Sequence, residues 1–450
     1  MQVADSRSGG ELVRVLGIIF GLAAVVGGAV GQGILRTPGI VAGAVPEPAI
    51  ILILWAAGGA IAAMSALALA ELGAAIPHAG GPYVFVRRAF GPTAGTIIGW
   101  SDWLNSISAQ AFMSVVVAEF IHRLGFLGQV PVALLAPGMI AIFFAVNWTN
   151  TRLCGSSQSV GSAIKGACLL LLVLILLLAP APDRAAVAAA APPASAGVGI
   201  AFAGIIVAIR AVQNTYDGWN NCIYFSEEMH APERCIPRAL FGGIALIAAL
   251  YLMVNMALLR ILSPAEMAAS NFPAADALGA VMGNWADTLL TAFGVISVGA
   301  ILNLNVMFGP RIALAMARDR VLPRSLATVA PGGTPRNALI ATTLGSAVLS
   351  ASGTYEELIA FNVALGVLIN LSVCLSALRL RRTEPELARP WRIPLYPWPV
   401  LVAVAINLAL LGGLIYEDPL HSLLGTGSAV MIGLGYRMAK RLRPVAVRPA

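Results

Sequence analysis

The chain has 450 residues, of which 58% are hydrophobic and only 11% charged, with a mean hydropathy of +0.84. A soluble domain carries roughly 25% charged residues, so this chain has too little polar surface to face water and must take the bilayer as its solvent. The net charge of +7 comes from arginines in short loops between apolar runs. With no basic–aromatic stripe among them, nucleic-acid binding is excluded.

About 20 apolar residues cross the hydrocarbon core. By that measure twelve spans follow in chain order: 14–40, 47–75, 93–121, 130–147, 157–180, 197–228, 236–262, 285–316, 337–352, 354–378, 396–417 and 420–439. The polar start, MQVADSRSGGEL, followed by so long an apolar run, does not resemble a cleavable signal peptide. With both ends inside, 22 of the 28 Lys and Arg residues fall on the inner side. Only Arg36, Arg123, Arg184 and Arg260 fall outside, while Lys165 and Arg210 lie within spans. That bias is the positive-inside rule, and it places a multi-pass protein in the plasma (inner) membrane with both termini cytoplasmic.

The organisation that follows is a tail (1–13), five spans (14–180), an external low-complexity loop (181–196) and five more spans (197–378). A basic loop (379–395), two last spans (396–439) and a basic tail (440–450) complete it.

Two spans are interrupted. Span one holds Gly27-Gly28-Ala29-Val30-Gly31-Gln32-Gly33 and then Pro38. Glycines at that density weaken a helix, or they let two helices pack closely. Span six holds Asn214-Thr215-Tyr216-Asp217-Gly218-Trp219-Asn220, whose turn-forming pairs break the helix and whose Asp must face protein or water. Interruptions at corresponding positions of two five-span groups point to a transporter site. A half-helix beginning near Gly33 aims unpaired N–H groups and its positive dipole end at the midplane. The backbone of Ala29, Val30, Gly31, Gln32 and Gly33 is thus expected to hold a carboxylate. Carbonyls of Ala29, Asn214 and Thr215, beside Gly218, are expected to take an ammonium group. A zwitterionic amino acid supplies both partners.

At these residues the chain resembles the amino acid–polyamine–organocation (APC) superfamily, in its L-type amino acid transporter branch. Gly27-x-x-x-Gly31-Gln32-Gly33-Ile34 is similar to the span-one motif. Gly80-Gly81-Pro82-Tyr83, Phe90-Gly91 and Gly99-Trp100 resemble the loop into span three. Tyr216 to Asn220, followed by Glu227-Glu228-x-x-x-Pro232-x-Arg234-x-x-Pro237, and Arg311 with Ala315 to Asp319 complete the pattern. The resemblance implies an all-α membrane fold of about twelve transmembrane helices. It is leucine-transporter-like, with a 5+5 inverted repeat, broken helices one and six, and two peripheral helices. It also implies exchange of amino acids or their symport with protons or sodium. Gln32 stands where the family often has Ser, Leu35 where it has Phe, and Arg320 where it has Gly. Asn214 stands where many relatives place an aromatic gate, which favours a smaller or more polar substrate.

Among single residues, Lys165 in span five needs a partner at that depth. At the matching position of the family it would face span one as a built-in ammonium in place of sodium, or carry a coupled proton. A lysine snorkelling to the interface is the plainer reading. Asp217 could meet the substrate ammonium or cap the second half of span six. Asn105 could line the pocket or bond helix to helix. Arg210 could serve an outer gate or anchor at the interface. Glu227 and Glu228 could latch an inner gate by ion pairs with Arg87 or Arg88, or stay solvated.

No GxSxG, HExxH or paired intramembrane carboxylates mark an enzyme. Five scattered cysteines and four scattered histidines form no metal or cofactor motif. Relatives in the resembled family join a heavy subunit through a Cys after span three. The segment His122–Gln129 here has none, so no disulfide-linked heavy subunit is expected. The expected function is secondary transport of small or neutral amino acids, by exchange or proton symport. A sensor on the same fold, or a permease for cationic amino acids or polyamines, is the alternative.

Overall fold

The computed structural model describes residues 12–31, 33–180, 202–283, 285–352 and 355–417, with short pieces between 419 and 438. Among them the secondary structure is helical, apart from one isolated parallel bridge between Leu16 and Met229. The helices are α1 (Ile18–Ala29), α2 (Gly33–Ala44), α3 (Pro48–Ala75), α4 (Pro82–Phe90) and α5 (Pro92–Arg123). Next come α6 (Val132–Trp148), α7 (Thr151–Leu178), α8 (Phe202–Tyr216) and a 3₁₀ segment, Trp219–Glu228. The chain continues through α9 (Pro232–Ile261), α10 (Pro264–Ala269), α11 (Pro273–Met282), α12 (Trp285–Arg318), α13 (Arg336–Ser352), α14 (Tyr355–Thr383) and α15 (Trp398–Glu417).

Proline marks many of the starts. It occupies the first turn of α3, α4, α5, α9, α10 and α11, where its missing N–H costs nothing. Seven helices are each long and apolar enough to cross a bilayer, and α1 with α2, bent by 48°, makes an eighth. The protein is therefore a multi-pass membrane protein. Span five begins earlier than expected, because Asn150 caps α7 by accepting from Leu153 N at 2.8 Å. The short helices α10 and α11 were not expected. A capping box between Ser263 and Glu266 starts the first of them. Half of the twelfth expected span and the whole loop 181–196 lie outside the described residues.

Of the long apolar helices, α12 is the most enclosed and α15 the least. Helices α5, α13 and α7 pack around α12, while α3 and α1 pack on α9. The broken spans, α1/α2 and α8 with its 3₁₀ continuation, sit between these groups and touch both.

Candidate functional site

The first break follows Ala29. Helix α1 closes with Val30 N donating to Val26 O at 2.9 Å. Val30 then leaves the helix with ψ of 101°, and α2 restarts at Gly33. Gln32 lies outside the described residues. The second break is Asp217-Gly218, a turn with Gly218 at φ +95°. That left-handed conformation suits glycine.

The two breaks meet backbone to backbone. A β-carbon on Gly218 would stand 2.6 Å from the Gly28 carbonyl oxygen, and one on Gly33 would stand 3.2 Å from Thr215 Cγ2. Gly218→Ala is therefore expected to combine a left-handed penalty of about 1–2 kcal/mol with forced separation of the two spans. Its thermal midpoint in detergent should drop by several degrees, and its transport should fall below about a tenth of the parent's. An unshifted midpoint would show that the two backbones part freely.

Lys165 is fully buried and reaches into the first break from α7. Its Nζ donates to Gly27 O at 2.7 Å, to Val30 O at 2.5 Å and to Ser297 O of α12 at 3.3 Å. Three carbonyls match the three donors of an ammonium group. Two of them, on Gly27 and the C-cap Val30, lie at the C-terminal end of α1, where the helix dipole is negative. The nitrogen is thus enclosed and does not snorkel. Ser297 adds its hydroxyl, which donates to Val30 O at 3.2 Å.

Tyr251 of α9 clamps both breaks. Its hydroxyl lies 3.0 Å from Ala29 O and 2.9 Å from Thr215 O. Its ring packs against Trp55 and Tyr216, edge to face, and the Tyr216 hydroxyl donates to Trp55 O at 2.9 Å. Neither Tyr251 nor Ser297 stood out in the sequence. A Tyr or Ser in an apolar helix has no distinctive signal.

Thr215 is buried, with its hydroxyl 2.8 Å from that of Thr37 and 3.0 Å from Ala211 O. Arg210, Asn214 and Asp217 are accessible and fall four and three residues apart, so they share one face of the span leading into the break. Asp217 does not cap the second half. Gly218 occupies the N-cap position and makes no side-chain bond there. Asn105 is half-buried. It exchanges bonds with Asn362 of α14, Nδ2 to O and O to Nδ2, both at 2.7 Å, so it ties helix to helix.

At the far end of the 3₁₀ segment the acidic pair finds other arginines than those expected. Glu228 is buried and paired bidentately with Arg311 of α12, whose second contact is 2.7 Å. Thr151 Oγ1 donates to the same carboxylate at 3.1 Å, and Arg311 lies over the Phe225 ring at 4.7 Å. The Glu228 carbonyl accepts from Val15 N and Leu16 N, each at 3.0 Å. Glu227 pairs with Arg318 at 2.9 Å and accepts from Ala79 N. Arg87 and Arg88 instead pair with Asp319 and Glu384. The reason is geometric: α4 packs on the ends of α5 and α14, while the 3₁₀ segment, rising about 2.0 Å per residue, delivers Glu227 and Glu228 onto α12. Burial and the Asp319 carboxylate push the Tyr83 phenol above its usual range, so Tyr83 stays a donor to Asp319 at 2.8 Å.

Among the described residues no cluster of His, Cys, Asp or Glu is arranged to hold a metal. What remains is a pair of broken helices, a cation held at one of them, an aromatic clamp across both, and a buried ion-pair cluster at one end.

A family model described as amino acid permease matches residues 11–434. The chain is 26% identical over 445 residues to the serine/threonine exchanger SteT of Bacillus subtilis (strain 168), covering 96% of this chain and 98% of that one. It is 26% identical over 410 residues to the human b(0,+)-type amino acid transporter 1, covering 89% and 82%. It is 27% identical over 438 residues to the large neutral amino acids transporter small subunit 2 of Rattus norvegicus, covering 95% and 81%.

Proposed function

The chain belongs to the amino acid permease family, and from that membership we propose that it carries small neutral L-amino acids by alternating access, as an exchanger. The observation that carries this reading is the enclosed Lys165, with a carbonyl for each of its three donors. A cation reaching into the broken helix from α7 does the work that a bound sodium ion would otherwise do there. The N–H groups opening α2 are left for a substrate carboxylate, and the carbonyls ending α8 for its ammonium. Ala29, Val30, Gly31, Gln32, Gly33, Asn214, Thr215, Asp217 and Gly218 form the binding surface in this reading.

Substrate size follows from Asn214, an accessible amide on the face leading to the break. The similarity to a serine/threonine exchanger supports a small polar substrate. Arg210, on the same face, serves the outer approach. The Glu228–Arg311 and Glu227–Arg318 pairs close the inner one. Placement in the plasma membrane, both termini cytoplasmic, belongs to the same proposal. So does work without a disulfide-linked partner, since the segment after span three, His122 to Gln129, holds no Cys.

The test is uptake of labelled serine, threonine, alanine and leucine into proteoliposomes, with and without the unlabelled amino acid inside. Exchange requires uptake at least about tenfold faster with internal amino acid, independent of a pH gradient. Uptake driven by the gradient into empty vesicles would replace exchange with proton symport. Asn214→Phe should move preference away from the smaller substrates, and an unaltered profile would remove Asn214 from the pocket.

A further inference from the structure

Lys165 is one end of a polar stripe. Thr151, Cys154, Gln158, Ser162 and Lys165 of α7 are all buried and recur at intervals of three and four residues, so they share one helix face. Ser162 Oγ donates to Ala23 O of α1 at 2.8 Å, and Gln158 Nε2 donates to Ser162 Oγ at 3.3 Å. The stripe then branches sideways. Asn303 Nδ2 of α12 donates to Gln158 Oε1 at 2.9 Å, and Asn147 Nδ2 of α6 donates to Asn303 Oδ1 at 3.0 Å. Asn147 also donates to Phe143 O at 2.8 Å. Asn147 in turn lines a cavity of about 10 Å³ whose walls include Cys154, Arg311 and Thr334. That volume holds one water molecule, and its polar walls supply the partners a buried water needs. Arg311 is the guanidinium that grips Glu228.

We propose that this amide chain, Gln158–Asn303–Asn147, completed by one water molecule against Arg311, couples the Lys165 site to the Glu228 latch. Gln158 and Asn303 are positioning residues: Gln158 lies against Gly27 at the start of the break, where a β-carbon would stand 2.7 Å from its Nε2, and each acts on the latch through the next amide. Each amide presents donors and an acceptor, so a shift of α1 that reorients Ser162 is passed from one amide to the next. The water is the adjustable link, since it alone can leave when the latch opens. The chain spans α1, α7, α12 and α6, so the two ends cannot change independently. The proposal rests on the reading of Lys165 as the fixed cation of the broken helix.

Cys154 is a native reporter, because it is buried in the cavity wall. The protein is prepared with Cys154 as its sole cysteine and reconstituted. Alkylation by N-ethylmaleimide is then timed for four forms: the parent, Lys165→Met, Asn303→Leu and the double variant. With Asn303 in place, Lys165→Met should speed labelling about tenfold. In the Asn303→Leu background it should add less than about twofold, the signature of coupled sites. Gln158→Met cuts the same chain at another link and should give the same loss of coupling. Equal acceleration in both backgrounds, or none in either, overturns the proposal. A companion protein with Cys374 as sole cysteine, buried on α14, should label at an unchanged rate, and acceleration there would mark general loosening and also overturn it. No amino acid is needed for any of these measurements, so failure of the exchange reading leaves them decisive.

Discussion

Lys165→Met should reduce exchange about a hundredfold or more while the protein still inserts and purifies as a folded species. The methionine keeps the stem and removes the ammonium. Three carbonyl oxygens, on Gly27, Val30 and Ser297, then lose the ammonium in a fully buried site, where Val30 O keeps only the Ser297 hydroxyl at 3.2 Å. An orphaned buried acceptor costs about 1–3 kcal/mol, and the Gly27 and Val30 oxygens lie at the negative end of α1, where a cation is favoured. Even 3 kcal/mol is more than a hundredfold in an equilibrium. The break is therefore expected to leave its binding geometry for most of the time. The measurement is exchange of labelled substrate in proteoliposomes, beside binding measured by thermal shift in detergent. Wild-type exchange would remove Lys165 from the mechanism. Exchange lost with thermal-shift binding intact would assign it to the conformational step alone.

The second large effect is expected at the latch. Arg311→Met leaves Glu228 buried and unpaired between α12, α7 and the 3₁₀ segment. Removing one partner of a buried ion pair costs about 3–5 kcal/mol, because the remaining charge keeps its desolvation penalty. The single variant should melt far below the parent. The double variant, Arg311→Met with Glu228→Gln, should recover much of the loss, since no charge is then stranded. Thr151 can still bond the amide. Thermal unfolding of the three proteins in one detergent decides the matter. A double variant no more stable than the single one would mean that the pair acts through its shape and not its charge balance.

Much of this architecture was legible in the sequence, for identifiable reasons. Apolar runs of bilayer length are read directly. Gly27 to Gly33 and Asp217-Gly218 stand out because such residues are costly in the middle of a membrane helix. Lys165 stands out for the same reason, although its acceptors do not, because carbonyls carry no sequence signal. The latch partners were not legible. Glu228 and Arg311 are 83 residues apart, and several nearby arginines were equally plausible on charge alone. The choice between Arg311 and Arg87 depends on how far the 3₁₀ winding carries the acidic pair. For Asn105 the sequence leaves a pocket and a helix–helix bond both open, and the structure shows the bond: the side-chain amides of Asn105 and Asn362 each donate to the other's backbone carbonyl.

The winding of Trp219–Glu228 has a mechanical meaning. Ten residues at about 2.0 Å of rise as a 3₁₀ helix span about 20 Å. The same residues at 1.5 Å of rise as an α-helix would span about 15 Å. Rewinding would draw Glu228 about 5 Å toward Gly218, further than any salt bridge stretches, with no rotation of the helices around it. The same rewinding, from three to 3.6 residues per turn, would also turn Glu228 by about 200° about the segment axis, so travel and rotation are both set by the residue count between Gly218 and Met229.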